Sequence, residues 1–175
     1  MAYRHTPKLD FPLKGYAVDA LDFGERGVYA GTDWGVHLGE DVLRRGGTKV
    51  YSAGRGKVVY SELHPGSKEK GNWGNVIIIA HKNPKNGKAF FSLYGHLGER
   101  FKEKGDRVEI REAIGVVGKA NTPENGWWDE EHLHFSIYTG PWEGKVLPGY
   151  FKSGQKRTKL SFWKDPSNYI RKYGD

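Results

Sequence analysis

The 175-residue chain contains no cysteine. Neither a disulfide framework nor thiolate ligation of a metal is therefore open to it. Any metal would have to be held by nitrogen and oxygen. Long apolar runs are also missing. The longest, near Val76–Ala80, falls far short of the roughly 20 residues that a membrane-spanning helix needs. The opening stretch, Met1-Ala2-Tyr3-Arg4-His5-Thr6-Pro7, has no apolar segment of the kind a signal peptide carries. Acidic residues are outnumbered, 21 against 28 Lys and Arg, which leaves a net charge of +7 and a pI of about 9.4. Such a surface attracts polyanions in general. No motif with a defined nucleic-acid contact geometry accompanies it, so nucleic acid is not an expected partner. Segments rich in strong helix formers are absent too. Glycine (25 residues) and aromatics (14%) take their place. That balance favours short strands and tight turns, and the fold class expected is all-β, one domain built of antiparallel hairpins.

Residues 1–35 read as an irregular, turn-rich segment packed on the domain, 36–140 as the β core, and 141–175 as a loop and C-terminal extension. Within the core, Thr48–Ala53 and Lys57–Leu63 are strand candidates joined through Gly54-Arg55-Gly56 as a hairpin. Asn75–His81 has the continuous apolar character of a buried strand. Asn83-Pro84-Lys85-Asn86-Gly87 is a turn, and Ala89–Gly95 returns as the partner strand. Arg107–Glu109 and Ala113–Gly118 are further short strands, and His132–Tyr138 is another. His64–Gly74, Asn121–Glu131 and the basic stretch Lys145–Lys159 read as loops. A short helix is expected from Asp165-Pro166, where Asp can cap and Pro suits the first turn.

Two clusters carry chemistry. In Glu131-His132-Leu133-His134-Phe135, strand periodicity puts His132 and His134 on one face, about 6.6 Å apart. Two imidazoles so placed can serve a metal, or set one ligand beside one acid/base group. The second cluster is His37-Leu38-Gly39-Glu40-Asp41. On a straight strand His37 and Asp41 would stand about 13 Å apart, so sharing an ion requires a bend, which Gly39 allows. Two His and a carboxylate make a sensible set for Zn²⁺, although other first-row divalent ions accept the same donors. His96, in Tyr94-Gly95-His96-Leu97, closes a strand. His5, His64 and His81 read as surface or core residues.

These residues carry a resemblance. His37-Leu38-Gly39-Glu40-Asp41 matches the His-x-Gly-x-Asp motif of the lysostaphin/LytM-type zinc metallo-endopeptidases, which cut peptide bonds in bacterial peptidoglycan. Gly47–Ala53 with Gly56-Lys57-Val58 resembles the next hairpin of that family, and Gly74–His81 its central strand. Tyr94-Gly95-His96-Leu97 is similar to its Tyr-x-His-Leu element, His132-Leu133-His134-Phe135 to its His-x-His signature, and Asp165-Pro166 to its domain end. Each is weak singly; together and in order, from about Phe11 to Ile170, they are specific. The resemblance implies an antiparallel β fold with a substrate groove walled by loops. It implies one Zn²⁺ per chain held by His37, Asp41 and His134, and His96 and His132 as the catalytic pair, one as general base and one stabilising the oxyanion. Asn75 and Tyr94 would line the groove and touch substrate. The partner implied is peptidoglycan peptide, with anionic wall polymer as a further contact. The location implied is periplasmic, cell-wall or secreted.

The chain departs from the family pattern at Arg111, where Gly is frequent, at Ser136, where an acidic residue is common, and at Glu130 and Glu131, where Pro is frequent. None of these removes a ligand or a catalytic His. Two other readings compete: a non-catalytic member of the fold that binds and activates a wall amidase, and a basic β-domain that binds an anionic polymer. Retention of all five positions argues against the first. The ordered motifs argue against the second.

Overall fold

The computed structural model describes residues 7–175. Residues 1–6, His5 among them, lie outside the described residues. The strands are β1 (Arg26–Tyr29), β2 (Thr32–His37), β3 (Glu40–Leu43), β4 (Lys49–Tyr51), β5 (Gly56–His64), β6 (Gly74–Lys82), β7 (Ala89–Arg100), β8 (Arg107–Val108), β9 (Ala113–Val117), β10 (His132–Tyr138), β11 (Tyr150–Phe151) and β12 (Trp163–Lys164). One helix, α1 (Pro166–Tyr173), follows. The expected cap is present: the Asp165 carboxylate accepts from the Asn168 N–H at 3.0 Å, with Pro166 in the first turn. Among the described residues no helix is long and apolar enough to cross a membrane. The fold is all-β and antiparallel, as expected.

Nine strands form one sheet, with the path β12-β10-β7-β6-β5-β8, β3 added to β10, β9 to β7 and β4 to β9. β6 is its spine. Val76, Ile77, Ile78 and Ile79 are all fully buried, because alternate side chains enter two different cores. Ile77 and Ile79 join Phe90, Tyr94, Leu133, Phe135 and Ile137, under α1 and the N-terminal residues Leu9 and Leu13. Val76 and Ile78 join Leu38, Leu93, Tyr138 and Leu147 on the other face. Burying each such aliphatic side chain contributes about 1.5–3 kcal/mol. The two cores hold the sheet from both sides, and the second face continues into the site.

The structure corrects the N-terminal expectation. Residues 26–37 are not irregular; β1 and β2 form a hairpin, closed by Ala30 and Gly31 with φ of 48° and 78°. Two positive φ angles make the turn whose twist suits a hairpin. The usual Asn-Gly signal is missing, and β2 is completed by β11 from far along the chain. That long-range pairing also places a strand, Tyr150–Phe151, inside the stretch read as the Lys145–Lys159 loop. The expected hairpin between Thr48–Ala53 and Lys57–Leu63 does not form. β4 pairs with β9, whereas β5 lies between β6 and β8. Gly54 bridges Leu9 instead, and at Gly56 the backbone passes so close to the Ala80 carbonyl that a Cβ would meet it at 2.3 Å. These glycines permit close crossing, not a turn.

β7 runs five residues past the expected Gly95. It pairs with β10 as far as Gly95 and with β9 from Leu97. Between the two partners sits His96 at φ 62°, a left-handed conformation unusual for a side-chain-bearing residue. The kink turns its ring toward the end of β10.

Behind the sheet, His81 is buried between the Ser92 hydroxyl (2.6 Å) and the Arg55 carbonyl (2.9 Å). Burial lowers its pKa from 6.5 to about 4. The folded protein thus keeps His81 neutral where the unfolded chain protonates it. Its contribution is complete above pH 6.5 and is lost as pH falls toward 4. Chemical unfolding of His81→Gln should show a flatter acid limb than the parent, by about 3 kcal/mol between pH 7 and 4. Parallel stability curves for the two proteins would refute this.

Candidate metal centre

One strand register sets the centre. β3 pairs antiparallel with β10, with Asp41 opposite His134 and Leu43 opposite His132. Directly opposed residues share a face and stand side by side. His37 arrives from the other sheet: β2 ends at His37, the chain turns through Leu38 and Gly39, and β3 begins. The turn overcomes the straight-strand separation. Gly39 is required for space rather than for a special φ. A Cβ there would lie 2.5 Å from the Phe135 carbonyl, 2.6 Å from His134 Nε2 and 2.6 Å from Ser136 Oγ.

Three donor atoms converge. His37 Nε2 lies 3.1 Å from His134 Nδ1 and 3.3 Å from Asp41 Oδ1, and His134 Nδ1 lies 3.2 Å from the same oxygen. All three residues are buried. Asp41 Oδ1 is buried without a hydrogen-bond partner. An orphaned carboxylate oxygen is costly in a protein interior, and a cation at this point would satisfy it. The donor set fits a divalent metal, with zinc well suited. Charge supports this. Burial opposes ionisation of Asp41, but the neighbouring His134, His37 and His132 rings outweigh it and hold the carboxyl well below its usual range. Burial lowers His134 to about 4, so its ring is neutral and a lone pair is free to ligate.

His96 and His132 stand beside this group, ring centroids 4.5 Å apart, with His132 Nε2 3.9 Å from Asp41 Oδ2. Backbone carbonyls set their tautomers, because a carbonyl can only accept. His96 Nδ1–H donates to the Asn125 carbonyl at 3.0 Å, and His132 Nδ1–H to the Glu130 carbonyl at 3.1 Å. His37 is held the same way by the Asp22 carbonyl at 3.1 Å. In each ring Nε2 is left with its lone pair. Burial, then the neighbouring His132 and His134, keep His96 well below the ordinary histidine value. The orienting group for His132 is thus the Glu130 backbone. The Glu131 carboxylate instead accepts from the Ala120 N–H.

Asp41, His96, His132 and His134 line a groove of about 820 Å³, with His37 fully buried behind them. Its walls carry Tyr29, Trp34, Trp73, Trp128 and Tyr150, with Lys70 and Lys152 among the lining charges. Trp73 donates to the Leu147 carbonyl and lies against Gly95 and Gly149, where a Cβ would strike its ring. Trp128 donates to the Asn72 carbonyl and meets Tyr29, Trp34 and His96. These aromatics were not among the candidate residues. For Trp73 and Tyr150 the signal open to view was a glycine close by in the chain, in Gly71-Asn72-Trp73 and Gly149-Tyr150.

The two expected substrate contacts fall elsewhere. Tyr94 is fully buried on the opposite face, where its hydroxyl accepts from the Ala53 N–H and from Ser92. Strand alternation sends it there, with Phe90. Asn75 donates to the Gly98 carbonyl and accepts from Arg100. Neither lines the groove.

A carboxylate and two imidazoles converging beside two more imidazoles, in a groove on a β-sheet, are the equipment of a metal-dependent hydrolase. The chain belongs to peptidase family M23, whose model matches residues 35–147. Over 101 residues it is 33% identical to the peptidoglycan DD-endopeptidase ShyA of Vibrio cholerae and 30% identical to ShyB of the same organism. Each match takes 58% of this chain and 20% of the relative, so the chain spans about a fifth of the length of these curated relatives. A zinc-containing peptidase from Vibrio cholerae superposes with a TM-score of 0.56 at 25% identity, over 73% of this chain and 35% of that one. LytU (TM-score 0.60, 20% identity, 98% and 90% covered) and lysostaphin from Staphylococcus simulans (0.61, 22%, 97% and 56%) share the fold.

Gly39→Ala should lower stability by about 1–3 kcal/mol, since the added methyl meets backbone and the His134–Ser136 pair. Urea unfolding checks this; an unchanged midpoint would show that the loop yields freely.

Proposed function

We propose that this chain is a zinc-dependent endopeptidase that hydrolyses peptide bonds of bacterial peptidoglycan. The observation that carries the reading is the convergence of His37, Asp41 and His134 on one point beside His96 and His132, in a chain of a peptidase family. Its two curated relatives named above are peptidoglycan DD-endopeptidases, which supports the substrate class. Action on such a substrate places the protein outside the cytoplasm.

In this reading His37 Nε2, Asp41 and His134 Nδ1 hold the metal. Bound zinc supplies Lewis acidity, polarising the scissile carbonyl and acidifying a water. The chain's own residues do the rest. His132 presents an unprotonated Nε2, and the Asp41 carboxylate 3.9 Å away favours the imidazolium it becomes on taking a proton. It then returns that proton to the leaving amine. His96, oriented by the Asn125 carbonyl, stands with its ring 4.5 Å from that of His132, where it positions the reacting groups; it would stabilise an oxyanion only after its Nε2 gains a proton. The aromatic walls exclude water and grip a peptide strand. Lys70 and Lys152, which share the groove with Asp129 and Glu130, offer with them contacts for both carboxylates and amines of a peptide substrate.

Purified protein should hold about one zinc per chain, and chelation should abolish release of peptides from peptidoglycan. His134→Ala should lose the metal. His132→Ala should keep it while turnover falls by roughly 10²-fold or more. Metal analysis and muropeptide release measure both effects. Equal zinc retention by the two variants would overturn the division of roles.

A further inference from the structure

Four imidazoles meet at this centre, and three of them are oriented by backbone carbonyls. The fourth is different. His134 Nε2 lies 2.7 Å from the Ser136 hydroxyl, with both residues buried on the same face of β10. A carbonyl or carboxylate can only accept. A hydroxyl can accept or donate.

The difference matters because of what His134 faces on its other side. His37 donates Nδ1–H to the Asp22 carbonyl, so its Nε2 carries a lone pair, and that nitrogen lies 3.1 Å from His134 Nδ1. Two bare lone pairs at this distance repel. With no cation between them, His134 carries its proton on Nδ1, which faces two acceptors, His37 Nε2 at 3.1 Å and Asp41 Oδ1 at 3.2 Å. The neutral ring then has a lone pair on Nε2, and Ser136 donates to it. With a cation bound, both Nδ1 of His134 and Nε2 of His37 must be lone pairs. The proton of the neutral ring then resides on Nε2, and Ser136 accepts it. One proton leaves Nδ1 and one is gained at Nε2, so the ring's charge is unchanged while the hydroxyl rotates.

We infer that Ser136 is a positioning residue that holds His134 in one orientation through both tautomers, so that metal uptake requires a proton relocation and not a ring movement. The inference rests on the metal site proposed above. A carboxylate at 136 would accept only, lock the proton on Nε2 and prearrange the ring for metal. Serine therefore gives a looser hold than an acidic residue would.

The test is ¹⁵N–¹H spectroscopy of histidine side chains, with and without zinc, joined to zinc competition titrations. In the parent protein, the His134 ring should be the Nδ1–H tautomer without metal and the Nε2–H tautomer with zinc. Ser136→Ala should weaken zinc binding by about 10-fold or more, as loss of a ligand's orienting partner does. Ser136→Thr, which keeps the hydroxyl, should stay within about twofold. Ser136→Asp should shift the metal-free ring to Nε2–H and bind zinc more tightly than the parent. A His134 that is Nε2–H with and without zinc would overturn the inference, as would parental zinc affinity in Ser136→Ala. Should Ser136→Ala not fold, the Thr and Asp variants decide. If the parent binds no zinc, the metal reading fails by itself, and the metal-free spectra of the parent and Ser136→Asp still judge the role of Ser136.

Discussion

The register between β3 and β10 is the constraint on which the rest of this molecule depends. Asp41 lies opposite His134, and nothing else could bring a carboxylate and an imidazole 93 positions apart in sequence to 3.2 Å inside a buried face. A slip of one residue would turn His132, His134 and Ser136 into the apolar core and push Leu133 and Phe135 out toward the groove. The hydrophobic alternation of β10 forbids this, since Leu133, Phe135 and Ile137 are all fully buried on the other side. Packing on one face therefore specifies chemistry on the other.

A buried polar centre of this kind is costly unless its groups are paired. The fold meets the cost largely with backbone. The Asp22, Asn125 and Glu130 carbonyls each hold one ring, and each comes from a loop or strand approach whose position is fixed by its own hydrogen bonds. Asn125 illustrates the economy: its carbonyl orients His96, while its side chain accepts from the Trp128 N–H and donates to the Trp128 and Glu130 carbonyls. One residue thus ties together the loop that carries the groove tryptophan and the loop that leads into β10. Among the described residues, the one buried side-chain oxygen left without a partner, Asp41 Oδ1, marks where a cation fits.

Much of this was legible in the chain. His132 and His134 share a face because a strand repeats every two residues, and β10 is a strand along its whole length. β6 announced itself by an unbroken apolar run, and α1 by Asp165-Pro166. The same alternation, applied to β7, would have sent Tyr94 away from the groove, since Phe90, Ser92 and Tyr94 must agree. Other features could not be read. The β1–β2 hairpin has no turn signature and leans on β11. β4 takes β9 as its partner, although a glycine-rich link to β5 suggests otherwise. Gly39 invites an explanation by flexibility, but crowding by Phe135, His134 and Ser136 is what requires it.

The sequence by itself determined the donor types, the periodicity that aligns His132 with His134, the fold class and the family motifs. These follow from local rules: side-chain chemistry, the two-residue repeat and the order of elements along the chain. Tertiary structure alone decided which atoms converge, which nitrogen of each ring carries the proton and which aromatics wall the groove. Those properties depend on contacts between residues far apart in sequence, such as Asp22 with His37, Asn125 with His96 and Trp128 with Tyr29. No local rule specifies their distances, because they are fixed only when the two cores pack and the strand registers lock.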